Sequence, residues 1–330
     1  MSSDSSRGAM HVAREVSAGY GELALVEMPA IDLLTSLGWS FKNLYAETFG
    51  PLGSEGRESE SQVILTRRLR AALVALNPGL PADAYEQAIE QLTRDRSKQI
   101  AVNANRDFYR LLKDGVKVKV PDQHGGHSTA TLSVIDWATP ANNEFFLASQ
   151  MWVAGDMYRR RCDLLGFVNG IPLVFIELKR PSEHLKSAYD RNLRDYRGQS
   201  VPQLFHPNAF ILLSNGSDTK IGTLTSAWEH FFDWKRMAED DVTGKVSLER
   251  ALRGLLEPTR LLDYIENFTV FEEGKGGLPE GALTVLLRVS VGSMTVMMWS
   301  FGVASARVVV PPVFGFVKTI CAALLSVVAA

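Results

Sequence analysis

The sequence predicts a mixed α/β protein with a largely antiparallel central sheet flanked by helices. Three observations carry this. Apolar residues recur at helical spacing through residues 25–113, and from 116 onward they alternate or run continuously. An Asn-Gly pair at 169–170 then separates two apolar runs, the strongest short-range signal for a hairpin.

Each element follows from its own pattern. Residues 1–22 are polar and rich in Gly and Ser, and read as a flexible lead-in. Leu25, Ile31, Leu33, Leu34 and Leu37 place a helix over 25–37, which Gly38 stops. Ser59 as cap, Gln62 three positions on and an apolar side of Val63, Leu65, Leu69, Leu73 and Leu76 predict a helix over 59–76. Asn77-Pro78-Gly79 ends it. Residues 82–93 and 103–113 read as two more helices. Val116, Val118 and Val120 alternate with Lys117 and Lys119, giving a half-buried strand. A turn over 121–130 then pairs it with a strand at 131–137. Strands follow at 145–153, 162–168 and 171–178, then a helix at 183–197, a strand at 208–214 and a helix at 225–236. Trp228 and Trp234, at helical spacing, read as core residues.

The chain of 330 residues has 46% hydrophobic and 22% charged residues, which is ordinary for a globular protein of about two domains. Its net charge of −2 is uneven: residues 281–330 hold Arg288, Arg307 and Lys318 and no acid, so they are +3 and the rest −5. An acidic body excludes a general basic coat for nucleic acid, though not a local basic groove. Two cysteines, Cys162 and Cys321, are too few for a disulfide scaffold or a cysteine zinc site. The six histidines lack metal-ligand spacing; His124 and His127 fall in a predicted turn and read as solvent-facing. The opening MSSDSSRGAM has no apolar stretch of the kind that directs secretion, and the expected compartment is the cytoplasm.

The hairpin over 162–179 carries polar groups that a pure core hairpin would not. Asp163 opens its first strand, and Glu177 and Lys179 close its second after the run Ile171 to Ile176. Residues two apart on a strand share a face, so Glu177 and Lys179 point together. The tight turn doubles the chain back and brings Asp163 to the same end. Two carboxylates and an ammonium there suit phosphodiester hydrolysis, with hard oxygen ligands for Mg²⁺ and a lysine to orient or deprotonate water. A same-face Glu–Lys ion pair at a sheet edge explains two of the three without chemistry. Spacing alone leaves both readings open. Arg160 and Arg161, beside Arg159, could meet phosphate next to this group or form a solvated basic turn.

The motifs decide further. Arg161-Cys162-Asp163, a hydrophobic strand, Asn169-Gly170-Ile171-Pro172-Leu173 and Glu177-Leu178-Lys179 resemble the N-terminal nuclease domain of type I restriction enzyme R subunits. That family lies within the PD-(D/E)xK nuclease superfamily. Residues 26–39, 69–81, 142–150, 201–205 and 210–235 resemble further landmarks in the same order, so the likeness covers about 25–277. It implies a restriction-endonuclease-like core over about 100–236, inside a domain over 23–277. It implies Asp163 and Glu177 as Mg²⁺ ligands, with Lys179 completing the catalytic set. The implied activity is cleavage of unmodified double-stranded DNA in a complex with specificity and modification (methyltransferase) subunits. A helix after the core strand in that family carries Gln-x-x-x-Tyr. Here it reads Asn192 to Tyr196, one methylene shorter, which puts its reach in doubt. Tyr196 packing on the sheet is the alternative. Cys162 stands where the family has Pro, so the approach to Asp163 is less stiff. Glu60 is a candidate further acid on a first core helix.

Such subunits are also ATP-driven motors, and no G-x-x-x-x-G-K-[ST] run occurs here; Gly274-Lys275-Gly276-Gly277 lacks the spacing and the hydroxyl. No ATP-binding residues are therefore expected in this chain. Residues 278–330 lose the family pattern. They read as an out-of-frame tail after Gly277 in preference to a membrane hairpin, which its Gly, Pro-Pro and Lys318 interrupt. The competing functional reading is a motorless, non-cleaving docking or DNA-binding remnant.

Overall fold

A computed structural model describes residues 23–50, 52–122, 124–234, 247–273 and 279–284. The polar lead at 1–22, the glycine run at 274–277 and residues 285–330 of the tail lie outside these. Its centre is a seven-stranded sheet. In sheet order the strands are β1 (Ser40–Asn43), β4 (Phe145–Ala154), β5 (Arg159–Val168), β6 (Ile171–Leu178), β7 (Phe210–Ser214), β8 (Thr219–Gly222) and β9 (Phe232–Asp233). β1–β4 and β6–β7 are parallel; the other four neighbours are antiparallel. The mixed, mostly antiparallel sheet flanked by helices is the fold that the sequence predicts.

All eight residues of β6 are buried, so both faces of the sheet are covered at its middle. On one face Trp39 packs edge-on to Phe145 and lies over Gly166, where a Cβ would sit 3.0 Å from its ring. Its indole donates to the Leu256 carbonyl at 2.9 Å. On the other face Tyr196 and Phe205 pack on Phe175. Helices α1 (Met28–Ser36), α2 (Thr66–Leu76), α3 (Ala82–Thr93) and α4 (Ala101–Asp114) precede the sheet strands β4 to β9, with a separate hairpin of β2 (Val116–Pro121) and β3 (His127–Leu132). A helical segment, α5, runs through Leu185–Ser187, Ala188–Leu193 and Tyr196–Ser200, largely in π turns.

Several predicted elements are corrected. The helix placed over 59–76 begins only at Thr66. Buried Arg57 takes the carbonyls of Glu60, Gln62 and Trp152, which holds 57–62 in an irregular loop, and the Ser59 hydroxyl bonds to Ser61 instead of capping. The second strand of the β2–β3 hairpin is 127–132, because Asn77 captures both backbone groups of Ser133 and ends it. The helix expected over 225–236 is absent from its described residues, 225–234, which hold a 3₁₀ turn at Trp228–His230 and then β9. There Trp228 and Phe231 pack on Tyr189. Both tryptophans, Trp228 and Trp234, are partly buried against the core.

Apart from the C-terminal hairpin below, four elements lie in no predicted segment: β1, β8, α6 (Ser247–Leu255) and α7 (Pro258–Asn267). The last has a clear signal, with Pro258 in its first turn and the Glu257 carboxylate capping Thr259 and Arg260. β10 (Thr269–Glu273) pairs with β11 (Pro279–Thr284) in a separate hairpin.

Candidate active site

The β5–β6 hairpin builds the site, beginning from its turn. Asn169 and Gly170 both adopt left-handed backbone, φ 52° and 78°, as a two-residue hairpin turn of this kind requires. Buried Asn169 accepts from Glu144 N and donates to the Val134 carbonyl and to Asn143, each at 2.8 Å. Gly170 accepts from Leu65 N at 2.9 Å, and a Cβ on it would lie 2.6 Å from the Leu65 oxygen.

Next to the turn, Val168 faces Ile171 and Phe167 faces Pro172, but Gly166 then faces Val174. Leu173 is thus an extra residue on β6, a bulge whose carbonyl accepts from Ala209 N at 2.8 Å and from the Asn208 amide at 3.2 Å. The bulge shifts the register by one. Carried on through Leu165–Phe175 and Leu164–Ile176, the shifted register sets Asp163 across from Glu177. Without it Asp163 would face Ile176, and the two carboxylates would sit on opposite faces.

Four groups meet at this end of the sheet. Asp163 accepts from Leu178 N at 2.9 Å. One oxygen of Glu177, Oε1, accepts from Lys179 Nζ at 2.7 Å and from the Asn192 amide on α5. The other, Oε2, is buried and has no hydrogen-bond partner among the described residues; the residue is 2% exposed. Burial, then the Asp163 charge, pushes the Glu177 carboxyl up to about 8, against the pull of Lys179 and Asn192. Burial likewise raises Asp163, opposed by Lys179, the Leu178 N–H and Arg161. Burial thus outweighs the Lys179 ammonium, and the pair favours retaining a proton at neutral pH.

The donor set fits a divalent cation. Glu177 Oε2 is an orphaned buried oxygen beside a second carboxylate, and both are hard ligands. Among the described residues no group of three or more His, Cys, Asp or Glu is disposed to hold a metal. Two carboxylates are what Mg²⁺ commonly takes from a protein, its other positions going to water and phosphate.

The remaining predicted residues separate. Asn192, one methylene shorter than glutamine, reaches Glu177. Tyr196 is buried edge-on against Phe175, and burial pushes its hydroxyl up. Arg160 pairs with Asp195 at 2.8 Å. Glu60 does not join the carboxylate pair: its side chain binds Arg159. Arg161 is exposed, two positions from Asp163 on the same face of β5. Cys162 faces the other way, fully buried, and burial holds its thiol well above the usual range, so it is inert.

Two residues at the site's margin were not foreseen. Gln150, with left-handed φ of 56°, sits opposite Asp163 between the Ser149–Leu164 and Met151–Cys162 pairs. Its amide donates to both oxygens of Glu27, at 3.2 and 3.0 Å, and Glu27 is 5% exposed at the start of α1. No local signal marks this pair, whose members lie 123 positions apart.

Comparison with known proteins adds the wider context. The family model described as type I restriction enzyme R protein N terminus matches residues 19–230. The chain is similar to the type I restriction enzyme HindI endonuclease subunit of Haemophilus influenzae, 31% identical over 262 residues. That match covers 76% of this chain and 24% of the relative. It is also similar to the type I restriction enzyme SsaAORF53P endonuclease subunit of Staphylococcus saprophyticus, 28% identical over 169 residues, or 50% of this chain and 17% of that protein. The matches thus span about a quarter or less of the length of these relatives.

Proposed function

The chain belongs to the family of type I restriction enzyme R protein N-termini, and from that premise we propose that it hydrolyses phosphodiester bonds of unmodified double-stranded DNA with Mg²⁺. The supporting observation is the Glu177 carboxylate, one oxygen bound by Lys179 and Asn192 and the other buried without a partner opposite Asp163. Asp163 and Glu177 would hold the ion. When bound, it would supply a polarised phosphoryl oxygen and a more acidic water. Asn192 fixes the Glu177 carboxylate so that its free oxygen faces one way. Lys179, 15% exposed, holds a proton at Nζ beside both carboxylates, where it can orient the attacking water and stabilise charge on the phosphate. Its partners in this reading are the specificity and modification subunits of a restriction complex, and its compartment is the cytoplasm. Among the described residues no helix is long and apolar enough to cross a membrane.

Nicking of supercoiled plasmid by the full chain in Mg²⁺ tests this. Asp163→Ala and Lys179→Ala should each abolish nicking while the folded state, read by circular dichroism at the assay temperature, is kept. Undiminished nicking by either variant would overturn the assignment. Duplex binding without any nicking would favour a non-cleaving docking module.

A further inference from the structure

β5 opens with three arginines in a row, and the structure treats them differently. Arg159 is bound by the Glu60 carboxylate. Arg160 is bound by Asp195, whose same oxygen also takes the Ser200 hydroxyl at 2.6 Å. The Arg161 guanidinium has no hydrogen bond or ion pair among the described residues. It lies over Tyr45 at 5.8 Å and over its cross-strand partner Trp152 at 5.7 Å, a ring it shares with Arg159 at 3.8 Å. Arg159 and Arg160 also lie over rings, but each of those has a carboxylate partner as well. The Tyr45 and Trp152 rings are 6.2 Å apart, and Tyr45 is 56% exposed. A guanidinium held by aromatic rings keeps its charge and its planar fork of N–H donors. Two residues along a strand is about 6.8 Å on one face. That is roughly the separation of successive phosphates on one nucleic-acid strand.

We propose that Arg161, steadied by Tyr45 and Trp152, is a phosphate clamp that grips the DNA backbone one nucleotide from the bond held at Asp163, Glu177 and Lys179. The inference rests on the nuclease reading above. It assigns Arg161 a positioning role, and gives Arg159 and Arg160 structural ones.

The test is a titration of fluorescent duplex DNA with the full chain, in EDTA, followed by anisotropy over a range of salt concentrations. Arg161→Ala should weaken binding about tenfold, the lower end for a lost charge-assisted hydrogen bond. It should also reduce the slope of log affinity against log salt by about 0.9, the signature of one phosphate contact. Arg161→Lys should retain the slope with a smaller loss of affinity. Arg159→Ala and Arg160→Ala should leave the slope unchanged. A wild-type slope in Arg161→Ala, an equal slope change in Arg159→Ala or Arg160→Ala, or no duplex binding by the wild-type chain at low salt would each sink the proposal. Plasmid nicking separates the two readings. Nicking with a slope indifferent to Arg161 removes the clamp alone, and an Arg161-dependent slope without nicking removes the nuclease reading alone.

Discussion

Replacing Glu177 by glutamine should stabilise the metal-free chain at alkaline pH, although it destroys the proposed site. The substitution keeps shape and removes charge. In the folded chain burial and Asp163 raise this carboxyl from its ordinary 4.5 to about 8. Between those values the folded state holds a proton that the unfolded state has released, so stability falls as pH rises. One proton corresponds to about 1.4 kcal/mol per pH unit, hence a loss on the order of 4 kcal/mol by pH 8. Glutamine has no such proton. Urea denaturation in EDTA at pH 5, 6.5 and 8 measures this, read from midpoints at constant slope. Wild type and Glu177→Gln should be close at pH 5, and the variant should be the more stable at pH 8. Mg²⁺ should restore wild type at pH 8 and leave the variant unmoved. A wild-type-minus-variant difference that stays flat from pH 5 to 8 would show that Glu177 is ionised throughout and refute the reasoning.

Two further substitutions probe the supports. Asn192→Leu removes the amide donor to Glu177, so the carboxyl should rise further; the pH–rate profile for nicking should move to higher pH, and Asn192→Gln should restore it. Gly170→Ala puts a Cβ 2.6 Å from the Leu65 oxygen and 2.7 Å from Leu69 N in left-handed backbone, and should cost about 2–3 kcal/mol of stability by urea denaturation.

The hairpin was legible because its information is local. Asn169-Gly170 specifies its own backbone, and the two-residue period puts Glu177 and Lys179 together whatever surrounds them. Leu173 was not legible as a bulge, because the groups that draw its carbonyl aside, Ala209 N and the Asn208 amide, belong to the chain just before β7. A plain two-residue hairpin drawn from the sequence would have set Asp163 against Ile176. The helix over 59–76 was overdrawn for a similar reason: its first turn is claimed by Arg57, through carbonyls that helical hydrogen bonding would otherwise use. Glu27 escaped notice because its partner, Gln150, lies 123 positions away. Asn192 reads as too short only if the helix is imagined at a fixed distance from the sheet. Here α5 runs largely in π turns and the amide reaches.

The bulge at Leu173 also governs how this hairpin can change over generations. Side chains along it are a two-valued code, in or out, and Leu173 is the digit that brings Asp163 and Glu177 into agreement. Substitutions alter the site by degrees, whereas loss or gain of one residue between 163 and 177 inverts everything on one side of it. Drift in the lineage should therefore accumulate as replacements within a fixed count of fourteen steps, and any change of length should arrive in compensating pairs.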